Sequence, residues 1–197
     1  MAHDDDAPGV TTDELRAVTR FVLHSADELL GVFEAAHPGD DRPRAAVEAA
    51  RAFVDGAPRS RRQRVTSLAA HRAGAAAATE PAALAARAAG DAAAAAYLHP
   101  PAQVWGWGSE VARTSQVGHV LRAAACAARV AELAAGEDAE VAAGEDAEVA
   151  AAHLAESFRR ASPQIAGIVR RYPPIGAGRS RVARLTKALD DRCRVGP

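Results

Sequence analysis

Long alanine-rich segments are the feature that most constrains the fold of this sequence. Hydrophobic residues make up 49% of the 197 residues, most of them are alanines, and aromatic residues contribute only 4%. Alanine is the strongest helix former, and β-branched residues are sparse here. Small side chains also let helices approach to the short end of the roughly 8 to 10 Å range of interaxial distances. The composition therefore predicts an all-α fold, a compact alanine-rich bundle.

Capping signals and hydrophobic periodicity divide this bundle into about seven to eight helices. Thr11 and Glu14 form a capping box, and apolar residues recur at helical spacing after them, which predicts a first helix over about 12 to 36. Later helices are predicted to start at Ser60, Thr79, Ser162 and Ser180. Glycines weaken a helix interior, so Gly74 and Gly90 indicate places where two helix backbones cross closely.

The length of the chain predicts one helical domain, at residues 11–197, after a disordered N-terminus at residues 1–10. Residues 102–116 contain both tryptophans and two glycines without a clear period, so they are predicted to be an irregular insertion. Residues 135–150 contain the octapeptide AGEDAEVA twice in tandem. Eight residues are far shorter than a solenoid repeat, so this duplication is a second predicted insertion.

Charge and cysteine content exclude several classes of protein. The net charge is −1, so no overall field attracts nucleic acid or membranes. Two unpatterned cysteines indicate neither a disulfide framework nor a zinc site. The first residues lack the pattern of a signal peptide, and no alanine run reaches the length of a membrane span. A cytoplasmic location is therefore expected.

The positions of the charges predict contacts within the chain. Residues 132–156 carry eight acids and no lysine or arginine, whereas residues 159–194 are strongly basic. This polarity predicts that the last helices fold back onto the acidic segment, although both faces could instead meet a partner. The segment RSRRQR at 59–64 is interpreted as a solvated or salt-bridged face, with phosphate binding as the alternative.

No catalytic or metal-binding motif is present. The seven histidines form no HExxH motif and no pair of Glu-x-x-His motifs, and they do not combine with cysteine at ligand spacing. No serine lies in a G-x-S-x-G elbow. The sequence therefore predicts no catalytic residue, no metal and no cofactor. His71 and His119 lie within apolar patterns, which predicts polar contacts at helix interfaces.

The segment PGDDRPRAAVEAARAF predicts a turn followed by a capped helix. Asp40 or Asp41 is expected to accept hydrogen bonds from the first free N–H groups, and the next proline fits an early helical position. Arg44 and Glu48 are four residues apart and can pair. The other aspartate and Arg42 are predicted to form an ion pair that fixes the hairpin, with partner binding as the alternative.

The same residues carry a resemblance to a known family. The stretch LHSADELLGVFEAAHPGDDRPRAAVEAARAFVDG resembles the N-terminal signature of the Imm-five-like immunity proteins of bacterial polymorphic toxin systems. LAAHRAGAAAA resembles the next family segment, in which His71 matches a histidine of the pattern, and later stretches look like actinobacterial members. The likeness covers most of residues 15–192. Two departures are Phe53, where tryptophan is frequent, and Asp91, where histidine is common.

The resemblance implies that the protein binds a cognate toxin and blocks it in the producing cell without catalysis. On this interpretation the acids of 132–156 mimic phosphate charge toward a basic toxin. The alternative is a helical nucleic-acid-associated protein; an exonuclease label borne by some relatives conflicts with the missing Walker motif. A homo-oligomer is compatible with either. The residues predicted to bind the partner or support the structure are Asp40, Asp41, Arg42, Arg44, Glu48 and His71.

Overall fold

The computed structural model describes residues 9–106, 108, 110–136 and 148–195, with the side chains of residue 105 and of 110–113 left out. Within these ranges the chain forms nine α-helices and no β-strand, which confirms the predicted all-α bundle. The helices are α1 (Thr12–Ala36), α2 (Arg42–Val54), α3 (Arg61–Ala76), α4 (Glu80–Ala95), α5 (Pro101–Trp105), α6 (Glu110–Ala134), α7 (Glu148–Arg160), α8 (Pro163–Arg170) and α9 (Arg181–Val195).

Helix α4 is the centre of the bundle, and α1, α2, α3 and α6 pack around it. It is buried on nearly every side, with alanines such as Ala85, Ala88 and Ala92 almost free of solvent contact. Helix α1 supplies larger side chains to this core, including Val18 and Phe33. An alanine helix has a small radius, so four neighbours can surround it, as the composition predicts.

The two helical glycines lie at close helix contacts. A Cβ at Gly74 on α3 would lie 2.9 Å from the backbone oxygen of Ala83 on α4. A Cβ at Gly90 on α4 would lie 2.8 Å from the imidazole of His71 on α3. Both distances are shorter than normal carbon contacts, so a larger residue at Gly74 would push against the α4 backbone and one at Gly90 would displace the imidazole of His71. The predicted close backbone crossing is confirmed at Gly74, whereas at Gly90 the close contact is with a side chain.

Helix starts follow their sequence signals, with one difference at Thr79. Thr11 caps α1 in a reciprocal capping box with Glu14, and Ser60 caps α3 in the same way with Gln63. Thr79 occupies the N-cap position of α4, but its side chain makes no capping hydrogen bond. Each helix gains its stability from buried contacts as well, so a cap position can tolerate the loss of one hydrogen bond.

The basic C-terminal helix α9 folds back onto α6, as the charge pattern predicts. Glu132 of α6 is buried and accepts hydrogen bonds from Arg181 of α9, with Nε 2.9 Å from Oε1. Arg129 donates to the same carboxylate from one helical turn away, at 3.3 Å. Asp190 of α9 is also buried. It accepts hydrogen bonds from Arg194 on the same helix and from the backbone N–H of Ile175, which precedes α9.

The structure describes most of the first predicted insertion but only the ends of the second. The prediction of an irregular segment at 102–116 is wrong for residues 102–105 and 110–116, which belong to the short helix α5 and to α6. In the tandem duplication, α7 begins at Glu148, and residues 137–147 lie outside the described residues. The predicted disorder of residues 1–10 falls on undescribed positions except at 9 and 10, which lie outside any helix.

None of the helices that the structure describes is both long and apolar enough to cross a membrane.

Cys126 and Cys193 are buried free thiols. The absence of a disulfide between them agrees with the sequence analysis.

Candidate functional site

The most unusual feature of the core is a buried carboxylate at its centre. Asp91 lies on α4 among alanines, and none of its surface is exposed. Arg122 of α6 forms a bidentate ion pair with it, with Nε 2.8 Å from Oδ2 and Nη2 2.5 Å from Oδ1. Nδ1 of His119, three residues earlier on α6, lies 2.8 Å from Oδ1. These contacts give the buried charge the partners it requires.

His71 brings a third helix to this carboxylate. Its Nε2 lies 3.6 Å from Oδ1 of Asp91, and its ring centroid lies 6.3 Å from that of His119. The ring occupies the space that a side chain at position 90 would fill, so Gly90 is what allows it to approach Asp91. We call His71, Asp91, His119 and Arg122 the Asp91 cluster.

The electrostatics of the Asp91 cluster keep the carboxylate ionised. Burial would raise the pKa of Asp91, but the charge of Arg122 and the hydrogen bond with His119 outweigh it and hold that pKa well below its ordinary value. Burial lowers the pKa of His71, which favours the neutral imidazole. Burial also raises the pKa of the nearby Cys126 to about 12, so its thiol stays protonated. The cluster is therefore an ionised acid facing a permanent cation.

The Asp91 cluster opens onto a groove between α3 and α6. The groove has a volume of about 250 Å³ and is lined by residues that include Arg64, Ser67, Leu68, His71, Tyr97 and His119. The two histidine side chains keep 29% and 28% of their surface exposed, whereas Asp91 behind them keeps none. The imidazoles thus form the boundary between the buried charge and solvent.

The rim of the groove is apolar and basic. Val65 and Leu68 on α3 are 52% and 51% exposed, a large fraction for such side chains. The guanidinium groups of Arg59 and Arg64 lie 5.1 and 5.2 Å from the ring centroid of Tyr97, within cation–π distance. Helix α3 has several arginines and no acidic residue. We call this rim of α3 and Tyr97 the α3 face.

The segment PGDDRPRAAVEAARAF forms the turn between α1 and α2 and nearly all of α2, apart from the Asp91 cluster. Asp40 pairs with Arg42 in a bidentate geometry, with Nε 2.8 Å from Oδ1 and Nη2 2.5 Å from Oδ2. Oδ1 of Asp40 also accepts from the backbone N–H of Arg42, at 3.2 Å. Asp41 holds the N-cap position without a side-chain capping bond. The turn thus contains an ion pair of the predicted kind, with Asp40 as its acid.

The predicted pairing of Arg44 with Glu48 is wrong. Arg44 lies 2.6 Å from Glu34 of α1, and Glu48 lies 3.5 Å from Arg62 of α3. Carboxylates on neighbouring helices compete with the i,i+4 partner, and sequence spacing cannot reveal them. The six residues selected from the sequence therefore lie in three places: the α1–α2 turn, the α2–α3 contact and, for His71, the groove.

Replacing Arg42 by methionine is expected to lower the melting temperature, because the turn loses its ion pair with Asp40 and that carboxylate loses both guanidinium contacts. Thermal unfolding followed by circular dichroism measures the change. Arg62→Met is the matched control, since Arg62 only reaches Glu48 at 3.5 Å, and should have a smaller effect. An unchanged melting temperature in Arg42→Met would contradict the structural role and favour a contact surface.

The C-terminal arginines are largely occupied within the protein. Arg171 donates to Glu14 of α1, Arg181 to Glu132 and Arg194 to Asp190. A nucleic-acid surface needs cations that face phosphates, so these contacts weigh against binding through this part of the chain. Glu132 is also buried and paired within the protein, so it is not one of the acids that could face a toxin.

The sequence analysis missed Asp91 and Arg122 as members of a site. The available signal was a single acid in the middle of the run AAGDAAAAAY, because a helix so rich in alanine is expected to be buried and a buried acid needs a partner. Arg122 and His119 lie three residues apart on one helix face, but nothing in the sequence says that this face meets α4. Only tertiary packing joins them.

The fold and site define a helical bundle with a buried charged cluster under an open groove. Residues 10–104 match the model of a family described as "Imm-5 like putative immunity protein". The match runs from just before α1 into α5 and includes α3, α4 and Asp91. The resemblance of this N-terminal part to the Imm-5-like family is therefore confirmed. No curated protein and no solved structure matches the chain significantly.

Proposed function

We propose that this protein is an immunity protein that binds a cognate bacterial toxin in the producing cell and neutralises it without catalysis. The family match over residues 10–104 supports the immunity role. Neutralisation by binding requires a complementary surface and no reacting group. Residues 11–197 would act as one domain in this role.

The observation that carries the choice of surface is the exposure of Val65 and Leu68 beside the groove. Apart from Val195 near the C-terminus, they are the large hydrophobic side chains left exposed in the described part of the chain. A stable interface buries about 1,200 to 2,000 Å² of surface in total, and its strength depends on a few buried anchor residues. The α3 face offers two apolar anchors next to a concavity, and both anchors lie within the matched segment.

The charge of the α3 face indicates which kind of toxin surface would complement it. Arg61, Arg64 and Arg72 lie on α3, whose sequence contains no acid. An acidic patch on the toxin would therefore be attracted to this face and would associate faster. This polarity is the reverse of phosphate mimicry by residues 132–156, of which Glu132 is buried and paired with arginine. Among the acids of that segment, Glu156 also pairs internally, with Arg159 and Arg160.

Replacing Leu68 by aspartate is expected to weaken toxin binding by at least about tenfold, since an anchor is lost and an acid meets an acidic patch. Leu68 is half exposed, so the fold should be unaffected. Where a neighbouring reading frame encodes a toxin, that toxin is the partner to use. Calorimetric titration measures the affinity, and growth of cells that co-express both proteins measures protection.

Val195→Asp is the matched control, because it places the same charge at an exposed apolar residue on α9. It should bind and protect like the original protein. Full binding by Leu68→Asp would contradict the α3 face as the interface. Failure of the unchanged protein to bind or protect against that toxin would contradict the proposed function itself.

A further inference from the structure

Three potential metal ligands meet in the Asp91 cluster. Each comes from a different helix: His71 from α3, Asp91 from α4 and His119 from α6. One ligand atom of each residue lies within 4.8 Å of the other two. Two imidazoles and one carboxylate are a common ligand set for zinc and other divalent transition metals. We propose that His71, Asp91 and His119 bind one such ion, with Zn²⁺ as the reference metal.

The spacing of the ligand atoms is close to that of a metal site. Zinc bonds of about 2.0 to 2.2 Å at tetrahedral angles separate neighbouring ligand atoms by about 3.3 to 3.6 Å. Oδ1 of Asp91 lies 2.8 Å from Nδ1 of His119 and 3.6 Å from Nε2 of His71. The two imidazole nitrogens lie within 4.8 Å of each other, so metal binding requires the two rings to move toward each other. In the metal-bound state Nδ1 of His119 would bind the ion in place of its hydrogen bond with Asp91. The proton of that imidazole would then lie on Nε2.

The surroundings of the three ligands also suit a metal. Both imidazoles line the groove, so a bound ion would face it and keep a position for water. Gly90 leaves the space that holds His71 beside Asp91. Arg122 donates to Oδ2 from Nε, and ligating carboxylates in metal sites are commonly held by such hydrogen bonds.

Arg122 also sets the strength of the site. Its Nη2 contacts Oδ1 of Asp91, so the guanidinium and the ion would share one carboxylate charge. We therefore expect weaker binding than at a site whose carboxylate carries its full charge for the metal. The site stands independently of toxin binding, because the three ligands are complete within one chain and none of them belongs to the apolar anchors of the α3 face.

Zinc titration of the chelator-treated full-length protein tests the proposal. Isothermal calorimetry should show one saturable Zn²⁺ site per chain, and saturating Zn²⁺ should raise the melting temperature. His71→Ala and His119→Ala should each lower the affinity at least about tenfold. His24→Ala is the control, because His24 lies on α1 and contacts Glu28 instead of the Asp91 cluster; its affinity should equal that of the unchanged protein.

Cobalt gives a second measurement that needs no variant and therefore no assumption about folding. Co²⁺ bound by these ligands should give the strong visible absorption of a four- or five-coordinate site, and Zn²⁺ should displace it. A spectrum equal to that of aqueous Co²⁺ would overturn the proposal. The same conclusion follows if the unchanged protein shows no saturable Zn²⁺ uptake, or if both ligand variants bind Zn²⁺ with its full affinity.

Discussion

Replacing Arg122 by methionine should lower the free energy of unfolding by about 3 kcal/mol, one of the two largest effects expected for this protein. The change leaves the fully buried carboxylate of Asp91 without its bidentate partner. Removing one partner of a buried ion pair costs about 3 to 5 kcal/mol, mainly because the other charge stays buried without compensation. We expect the lower end of this range, because 30% of the Arg122 side chain is exposed and His119 still contacts Asp91.

The loss should depend on pH in a defined direction. In the unchanged protein the pKa of Asp91 lies below its unfolded value of about 3.9, so its stabilising effect is complete above that pH and declines as the pH falls below it. Without Arg122, burial raises the pKa of Asp91, and the carboxyl can take up a proton in the folded state. The difference between variant and unchanged protein should therefore be larger near about pH 7 than near about pH 4.5.

Urea unfolding at both pH values measures this effect. Arg51→Met is the matched control, because Arg51 pairs with Asp27 in an exposed contact, with side chains 50% and 39% accessible. An exposed pair contributes about 0 to 1 kcal/mol. Equal losses in Arg122→Met and Arg51→Met would contradict the role of the Asp91 cluster in stability. A loss that grows toward low pH would contradict the assignment of an ionised Asp91.

Replacing Glu132 by glutamine should also lower the free energy of unfolding by about 3 kcal/mol. The Glu132 side chain is 1% accessible and lies between Arg129 and Arg181, which are 7% and 15% accessible. The neutral amide would leave Arg181 without its anion and Arg129 with Glu80 as its remaining carboxylate partner, at 3.1 Å. Because Arg181 belongs to α9, the contact between α6 and α9 should weaken most.

Hydrogen exchange distinguishes this local effect from a general one. Amide protection should fall in α9 and in the C-terminal half of α6 more than in α4, which α9 does not flank. Glu156→Gln is the control, since it removes a charge of the same type from an exposed contact with Arg159 on one helix. A uniform loss of protection, or an unfolding free energy equal to that of the control, would contradict the prediction.

Local sequence signals were sufficient for most helix limits. The limits of α1 follow from the Thr11 capping box and the apolar period, and both are properties of neighbouring residues. The error at residues 110–116 has the same origin, because the tryptophans and glycines at 105–108 lie just before these residues and show no helical period. The close approaches at Gly74 and Gly90 were predictable because glycine in a helix interior needs a packing reason.

The sequence by itself determined the all-α class, the helix starts, the alanine core and the resemblance of the N-terminal part to the Imm-5-like family. These depend on composition and on residues a few positions apart. The tertiary structure alone decided which charges meet: Asp91 with Arg122 and His119, Glu132 with Arg181, Arg44 with Glu34. Ion-pair partners depend on distance in space, and helices that pack side by side join residues 10 to 49 positions apart, where sequence spacing carries no information.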